Sequence, residues 1–286
     1  MKEFIVCSLL FLLVSCNNND SLFVSLPSNK TQIKFQNNLT STTDLNILNY
    51  LYYYNGAGVA AADFNNDGLA DLYFTGNQTA DKLYLNTGGL QFKDITKQAL
   101  INNSTPWTTG VTTVDINNDG FLDIYICKIG AHNSIKGNNL LYINEGPDIN
   151  GIPRFKEAAS FYGLDIASFA TQASFFDFDK DGDLDLFLIN HSLYPNSNYG
   201  KGAIRREVDQ MSGDKLFENK QGNFVDISSQ SGVFQGKIGY GLGLSVGDVT
   251  NDGYPDIYVG NDFFENDYLY INQKDKTFKE IISKDK

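Results

Sequence analysis

Four short acidic segments carry the residue types that bind a hard metal ion. They read DFNNDGLAD from Asp63, DINNDGFLD from Asp115, DFDKDGDLD from Asp177 and DVTNDGYPD from Asp248. Oxygen-bearing side chains stand at positions 1, 3, 5 and 9 of each segment, and glycine always stands at position 6. Ca²⁺ takes about six to eight oxygen ligands, and glycine allows the tight turn that directs them to one centre. The spacing therefore predicts four calcium-binding loops in a repeated architecture.

The predicted ligands are the side chains at positions 1, 3, 5 and 9 together with the backbone carbonyl at position 7. Thr250 gives the fourth loop a neutral hydroxyl at position 3, where the other loops have Asn or Asp, so we expect the fourth site to bind calcium most weakly. The predicted residues are Asp63, Asn65, Asp67, Leu69 and Asp71; Asp115, Asn117, Asp119, Phe121 and Asp123; Asp177, Asp179, Asp181, Asp183 and Asp185; and Asp248, Thr250, Asp252, Tyr254 and Asp256.

The net charge of −12 comes almost entirely from these loops. Thirteen of the 34 acidic residues stand at the side-chain ligand positions, and the rest of the chain is close to neutral, with 22 basic residues. The basic residues form no footprint for nucleic acid, so we expect no nucleic-acid partner. Up to four Ca²⁺ ions would cancel eight of the negative charges.

The sequence around the loops predicts strands rather than helices. An EF-hand needs Glu at position 12, but Phe74, Ile126, Leu188 and Val259 stand there. Small and apolar residues precede each loop, and strand-like runs such as DLYF and DIYIC follow it. Each loop is then a hairpin turn, and two more predicted strands, such as KLYLN and FKDIT, complete a unit. Four such units, with loops 52, 62 and 71 residues apart, predict a β-propeller with blades near residues 55–100, 107–160, 169–230 and 238–286.

These phrases resemble a known family. The Asp-x-Asn-x-Asp-Gly-x-x-Asp hairpins are similar to the FG-GAP/VCBS repeats of integrin-type propellers. The longer runs YYYNGAGVAAADFNNDGLADLYFTGN and IGYGLGLSVGDVTNDGYPDIYVGNDFFENDYLYIN resemble the cartilage-acidic-protein-like family with ASPIC/UnbV domains. The resemblance runs from about Ile33 to Ile282, and it implies a calcium-binding propeller, often on a bacterial lipoprotein.

The chain departs from that family in blade number. Propellers of this type commonly have seven blades, whereas this sequence has four recognisable ones and no ASPIC/UnbV segment. We therefore expect an open, curved array, from an N-terminal fragment or a short open reading frame rather than a complete member of the family. Ile33 to Phe35 is expected to supply a strand to a further blade.

The N-terminus predicts export and a lipid anchor. Lys2 precedes an apolar run from Phe4 to Val14, which is too short to span a bilayer of about 30 Å and is typical of a signal peptide. The ending Leu13-Val14-Ser15-Cys16 resembles a bacterial lipobox, which predicts cleavage after residue 15, acylation of Cys16 and a polar tether over residues 16–32. We expect an extracytoplasmic lipoprotein of the outer membrane, on either of its sides. Calcium rather than disulfides is expected to stabilise it, since Cys127 is the only other cysteine of the mature chain.

Enzyme motifs are missing from the sequence. It has two histidines, His132 and His191, and no Gly-x-Ser-x-Gly, His-Glu-x-x-His or P-loop motif. The favoured function is therefore non-catalytic adhesion, or capture of a glycan or protein at the cell envelope. Two alternatives stay open: a calcium-dependent, lyase-like carbohydrate enzyme, and a structural module that completes a larger propeller.

A candidate ligand face lies opposite the calcium loops. The second strand of each predicted blade ends there, and the first strand of each blade begins there. Aromatic and amide side chains at these ends suit a sugar or peptide partner, although turn and packing roles explain many of them equally well. The candidates are Asn77, Trp107, Lys128, Asn190, His191, Tyr240, Asn261 and Asp262.

Overall fold

A computed structural model describes residues 22–103, 107–193, 204–205, 207–263 and 265–282. These residues form 18 strands and three single-turn helices, so the predicted all-β fold is confirmed. The signal sequence and Cys16 lie outside the described residues, as do residues 194–203 and 206 of the insertion between His191 and Gly213. No helix in the described part of the chain is long and apolar enough to cross a membrane.

The strands form four antiparallel sheets, which we call blades 1 to 4. Blade 1 has β1 (Val59–Ala62), β2 (Asp71–Phe74), β3 (Lys82–Asn86) and β4 (Phe92–Asp94). Blade 2 has β5 (Thr108–Val114), β6 (Asp123–Lys128), β9 (Leu140–Pro147) and β10 (Pro153–Glu157), and the small hairpin of β7 (Ala131–His132) and β8 (Ile135–Lys136) is inserted after β6. Blade 3 has β11 (Ala170–Phe176), β12 (Asp185–Asn190), β13 (Lys215–Lys220) and β14 (Asn223–Asp226). Blade 4 has β15 (Gly241–Gly247), β16 (Asp256–Asn261), β17 (Tyr268–Asn272) and β18 (Phe278–Glu280).

Apolar side chains from facing blades form the core. Tyr142 packs between blades 1 and 2, Phe217 between blades 2 and 3, and Tyr270 between blades 3 and 4. Cys127 is a buried free thiol in the layer between blades 2 and 3. The repeated Leu-Tyr-x-Asn strand therefore supplies packing, as expected for a large aromatic side chain.

The four blades form an open arc. The innermost strands contact one another in the order β1, β5, β11, β15, which leaves β1 and β15 at the two ends. Phe64, Tyr73 and Ile95 of blade 1 are fully buried against blade 2. Their counterparts in blade 4 are Val249, Tyr258 and Ile281, which are 64%, 41% and 50% exposed. The free side of blade 4 thus carries apolar residues at the positions that a following blade covers elsewhere in the arc.

The N-terminal segment differs from its expected role. The tether contains one helical turn, α1 (Ser28–Thr31), and Ile33 to Phe35 forms no strand. Phe35 instead stacks on Phe74 with ring centroids 5.1 Å apart, and the Lys34 N–H donates to the Tyr84 hydroxyl at 3.2 Å. The expectation that these residues form a strand was wrong. The packing of Phe35 on the face of blade 1 that points away from blade 2 holds the segment there instead. The other two helices, α2 (Ala159–Tyr162) and α3 (Ser228–Ser231), follow the last strands of blades 2 and 3.

Residues 45–56 cross the arc at the edge opposite the acidic loops. Leu45, Tyr50, Tyr52 and Tyr53 are buried there in a cluster with residues at the start of the inner strands. Neighbouring blades also join along this edge, through the bridges Ile129 to Phe169 and His191 to Tyr240. The N-terminal segment therefore covers the inner part of this edge.

Candidate metal centres

Each acidic loop joins the two innermost strands of its blade. The glycine at position 6 has a φ between 87° and 97° in the four loops, a conformation that L side chains rarely adopt. The residue at position 4 also has a positive φ, from 56° to 64°, and it is Asn in three of the loops. Asn tolerates this left-handed region better than most residues, and this signal was missed in the sequence.

The aspartate at position 1 closes the turn through backbone hydrogen bonds. Asp63 accepts the N–H of Asp67 at 3.1 Å and the N–H of Gly68 at 2.7 Å, one on each carboxylate oxygen. The equivalent pairs of bonds form at Asp115, Asp177 and Asp248. Each oxygen keeps a second lone pair, so the bonds fix the turn and leave acceptor capacity for a cation.

The aspartate at position 9 connects its loop to the rest of its blade. Asp71 Oδ2 accepts the N–H of Phe64 at 3.1 Å, and Asp71 Oδ1 accepts the N–H of Asn86, on β3, at 2.8 Å. Asp123, Asp185 and Asp256 make the same two bonds. All four are buried. The Asn of the Leu-Tyr-x-Asn strand meets each of them through its backbone N–H, and its side-chain amide donates to the carbonyl at position 8 of the same loop, a bond that requires Asn.

Three of these buried carboxylates are destabilised in their ionised form. Burial raises the pKa of Asp71 and of Asp123 to about 6, and that of Asp185 to about 7. Repulsion from the other acids of the same loop contributes to each increase: those at positions 1 and 5 for Asp71 and Asp123, and those at positions 3 and 5 for Asp185. Hydrogen bonds from the backbone offset only part of the increase. A bound cation would remove this destabilisation, because an adjacent positive charge favours the ionised carboxylate.

The donor set fits a hard cation. In the third loop, carboxylate oxygens of Asp177, Asp179 and Asp185 all lie within 4.8 Å of one another. In the first loop, Asn65 Oδ1 is a buried oxygen without a hydrogen-bond partner. Oxygen-only ligands on a turn are the ligand type that Ca²⁺ prefers.

Comparison with known sequences identifies the repeat. Residues 63–126 match the FG-GAP-like repeat, and residues 240–271 match the FG-GAP repeat. These two segments of the chain are FG-GAP repeats. The chain is 34% identical to cartilage acidic protein 1 of Homo sapiens over 136 residues, which is 46% of this chain and 20% of that protein. It is also 32% identical to cartilage acidic protein 1 of Mus musculus over 136 residues and of Xenopus tropicalis over 139 residues, covering 20% and 21% of those proteins. The matched part thus spans about a fifth of these relatives, and the resemblance seen in the sequence is confirmed.

Two lysines make loops 3 and 4 different from loops 1 and 2. Lys276, in the turn between β17 and β18, has its ammonium 2.7 Å from Asp179 and also pairs with Glu218. Lys274 in the same turn lies 3.2 Å from Asp252, the position 5 residue of loop 4. An ammonium beside a ligand carboxylate opposes a metal ion, so Lys276 should weaken binding in loop 3 and Lys274 should weaken it in loop 4. In loop 4 this adds to the weakness that Thr250 already predicts, whereas loop 3 has a fourth carboxylate among its ligands.

The position 7 residues lie at the surface of the loops. Leu69 is 38% exposed, and Asp183 is exposed with its N–H donated to Asp181. Phe121 packs against Gly146, and the Tyr254 ring lies 4.4 Å below the ammonium of Lys180 from the neighbouring loop. The side chains of Phe121 and Tyr254 therefore contact a neighbouring turn.

The candidate ligand face is largely covered. Asn77, Trp107, Lys128, Asn190, His191 and Tyr240 are all buried, whereas Asn261 and Asp262 are half-buried. Trp107 packs edge-on against Tyr50, with ring centroids 5.3 Å apart, so the aromatic residues expected to meet a partner instead meet residues 45–56. The YLYYYN run that supplies this cover is visible in the sequence, but only the fold shows where it lies.

The polar residues of this face take part in internal networks. Asn77 donates to the carbonyls of Gly56 and Thr108, at 2.9 and 3.0 Å. The Lys128 ammonium donates to Asn103 at 2.9 Å and to Thr108 at 3.2 Å, and burial lowers the pKa of Lys128 to about 8. These bonds satisfy buried groups and join neighbouring blades.

Proposed function

We propose that this chain is a calcium-stabilised, non-catalytic binding module of the cell envelope. The observation that carries the proposal is the burial of Asp71, Asp123 and Asp185 at position 9, which opposes their ionisation, whereas a divalent cation would favour it. The side chains at loop positions 1, 3, 5 and 9 would hold the ion, together with the backbone carbonyl at position 7. The ion would neutralise the negative charge of the loop and so stabilise the hairpin that joins the two innermost strands of each blade.

Isothermal titration calorimetry with CaCl₂, combined with thermal unfolding, tests this proposal. Because an ion that binds only the folded state stabilises it, we expect excess calcium to raise the melting temperature by on the order of 5 to 10 °C over chelator. MgCl₂ is the matched control, since Mg²⁺ demands a smaller octahedral site and should stabilise the protein less. An identical melting curve in calcium and in chelator, with no heat of binding, would overturn the proposal.

The proposed location is outside the cytoplasm, at the outer membrane, through acylation of Cys16. The support is the lipobox-like ending Leu13 to Cys16. Cys16→Ser should release the protein from the membrane fraction, and mass spectrometry of the wild-type N-terminus should show a diacylglyceryl cysteine. A mature wild-type chain that begins at another residue would contradict the anchor.

A role as a module of a larger propeller is a second candidate, favoured by the free side of blade 4. Val249, Tyr258 and Ile281 are exposed there at positions that are buried in blade 1. Light scattering of the chain tests this role: we expect self-association, and Tyr258→Lys should reduce it. A monodisperse monomer at high concentration would contradict the second candidate.

A further inference from the structure

A cavity of about 330 Å³ lies near the axis of the arc, under residues 45–56. Each blade contributes to its wall. Gly58 lines it just before β1, Thr109 from β5, Thr171 from β11 and Leu242 from β15. We call it the axial cavity. It is a product of the assembled arc, because its wall combines residues far apart in sequence.

The aromatic side of the axial cavity is rigid. Trp107 is 1% exposed and is held between Tyr50 at 5.3 Å and Tyr53 at 5.4 Å, measured between ring centroids. Tyr52 packs on the His191 ring at 4.3 Å. A ligand meeting these rings would lose little free energy to ordering side chains, since they are already fixed.

Hydroxyl groups form the polar side of the axial cavity. Thr109 donates to backbone carbonyls of Ala170 at 2.7 Å or of Cys127 at 3.0 Å, and its oxygen keeps its acceptor capacity. Thr171 Oγ1 lies 3.3 Å from His191 Nδ1. His191 Nε2 lies 3.3 Å from the Tyr50 hydroxyl. Hydroxyl groups both donate and accept, so this wall suits a ligand that itself carries hydroxyl groups.

The wall of the axial cavity has no net charge. No Asp, Glu, Lys or Arg lines it among the described residues. His191 is its one imidazole, and burial lowers the pKa of His191 to about 3, so the ring is neutral at physiological pH. A charged ligand would lose its hydration here without gaining an ionic partner.

We propose that the axial cavity binds a small, uncharged, hydroxyl-rich molecule of monosaccharide size. Its volume is near the lower end of the range of about 300–1,000 Å³ that small-molecule sites occupy. Leu242 and the edges of the buried rings would pack against the C–H face of such a ligand, and Asn55, Thr109 and Thr171 would meet its hydroxyl groups. This inference rests on the proposed function as a binding module and names its ligand class and its site.

Trp107 makes the axial cavity directly observable. It is the one tryptophan of the chain, so the intrinsic fluorescence of the protein reports on this site. The full chain in calcium-containing buffer is titrated with glucose, galactose, fucose and N-acetylglucosamine, and with glucuronate as the charged counterpart of glucose. We expect a saturable change in emission with at least one neutral sugar and none with glucuronate.

Three variants show whether the response comes from the axial cavity. Thr171→Val keeps the shape of the side chain but removes the hydroxyl, so the sugar that binds should bind about fivefold more weakly, as the loss of one hydrogen bond predicts. Thr171→Ser keeps the hydroxyl and should retain the affinity. Thr113→Val makes the same substitution on β5 outside the cavity and should change nothing. Circular dichroism confirms that each variant is folded.

Two results would overturn the inference: no saturable response to any neutral sugar, or a response that folded Thr171→Val leaves unchanged. Calorimetry with CaCl₂ on the same sample separates this outcome from failure of the proposed function. Intact calcium binding with no sugar response overturns the axial cavity alone, whereas loss of both overturns the binding module as well.

Discussion

The side-chain amide of Asn144 in blade 2 donates a 2.8 Å hydrogen bond to the carbonyl of Phe64 in the first acidic loop. The backbone N–H of the same residue donates to Asp123, the position 9 ligand of the second loop, at 2.7 Å. Asn272 repeats the arrangement between blades 3 and 4, with a 2.8 Å bond to the carbonyl of Phe178. One asparagine therefore connects two predicted calcium loops, so loops 1 and 2, and loops 3 and 4, form coupled pairs.

Asn144→Ala should destabilise the protein by about 1–3 kcal/mol and weaken calcium binding, because it leaves buried carbonyls of two loops without their donor. Asn86→Ala is the matched control: Asn86 donates to Ala70 of its own loop, and its N–H bonds Asp71 as that of Asn144 bonds Asp123. Urea unfolding in calcium and in chelator measures both variants. Equal effects of the two substitutions would show that the bond between blades contributes nothing.

Calcium binding should depend on pH between about 5 and 8. In the metal-free folded protein the pKa of Asp71 and Asp123 is raised to about 6 and that of Asp185 to about 7, against about 3.9 in an unfolded chain. The folded state then binds protons more tightly, so metal-free stability falls as pH rises from about 4 to about 7. Calcium needs the ionised carboxylates and competes with those protons.

The increase in melting temperature that calcium produces should therefore be largest at pH 8 and nearly lost at pH 5. The measurement is thermal unfolding at pH 5, 6, 7 and 8, each in CaCl₂ and in chelator, with the ionic strength matched by NaCl. An increase that stays constant over this range would show that the buried carboxylates do not bind the ion.

The four loops should differ in affinity, with loop 4 the weakest. Asp67→Ala, Asp119→Ala and Asp181→Ala should each lower the melting temperature in calcium more than Asp252→Ala does. Thr250 supplies a neutral hydroxyl in loop 4, and the Lys274 ammonium lies 3.2 Å from Asp252. Lys274→Gln should raise the affinity of the weakest site seen by calorimetry, whereas Lys30→Gln, on the distant helix α1, should not. Loss of stability in Asp252→Ala as large as in Asp67→Ala would contradict the ranking.

Asp214 should make the stability of blade 3 decrease as the pH rises. In blade 1 the Tyr73 hydroxyl donates to Asp81, and in blade 4 the Tyr258 hydroxyl donates to Asp267; each aspartate immediately precedes the third strand of its blade. In blade 3 the corresponding aspartate is Asp214, but Phe187 stands where the other blades have the tyrosine. Asp214 is buried, and burial raises its pKa to about 8, although the Asn190 N–H donates to it at 3.0 Å. Because the folded pKa lies above the unfolded value, folding favours the protonated acid, and stability is lost between about pH 4 and pH 8.

Asp214→Asn keeps the acceptor oxygen and removes the titration. Its stability relative to the wild type should therefore increase between pH 5 and pH 8, by on the order of 2 kcal/mol. Urea unfolding at constant calcium measures the difference, and Asp44→Asn at an exposed position is the control. A difference between Asp214→Asn and the wild type that does not change with pH would sink this assignment.

The sequence alone determined the repeat, the strands of the four blades and the family resemblance. The period of the acidic loops and the alternation of the flanking residues are local patterns, and local patterns set hairpins. Asp63 and Asp71 could be assigned to one turn because nine residues of chain fix their separation. The role of Asn86, Asn144, Asn219 and Asn272 as donors to the position 9 aspartates was not visible, although the Leu-Tyr-x-Asn repeat itself was.

Only the tertiary structure decided what covers each surface. Trp107, His191 and Tyr240 carried the pattern of an exposed ligand face, yet Tyr50, Tyr52 and Tyr53 bury them from a segment that no periodicity connects to the blades. Phe35 covers blade 1, whereas Tyr258 of blade 4 stays 41% exposed. Residue type gives the tendency to be buried, but which face meets which depends on long-range packing, and that free energy belongs to the assembled arc and not to any one segment.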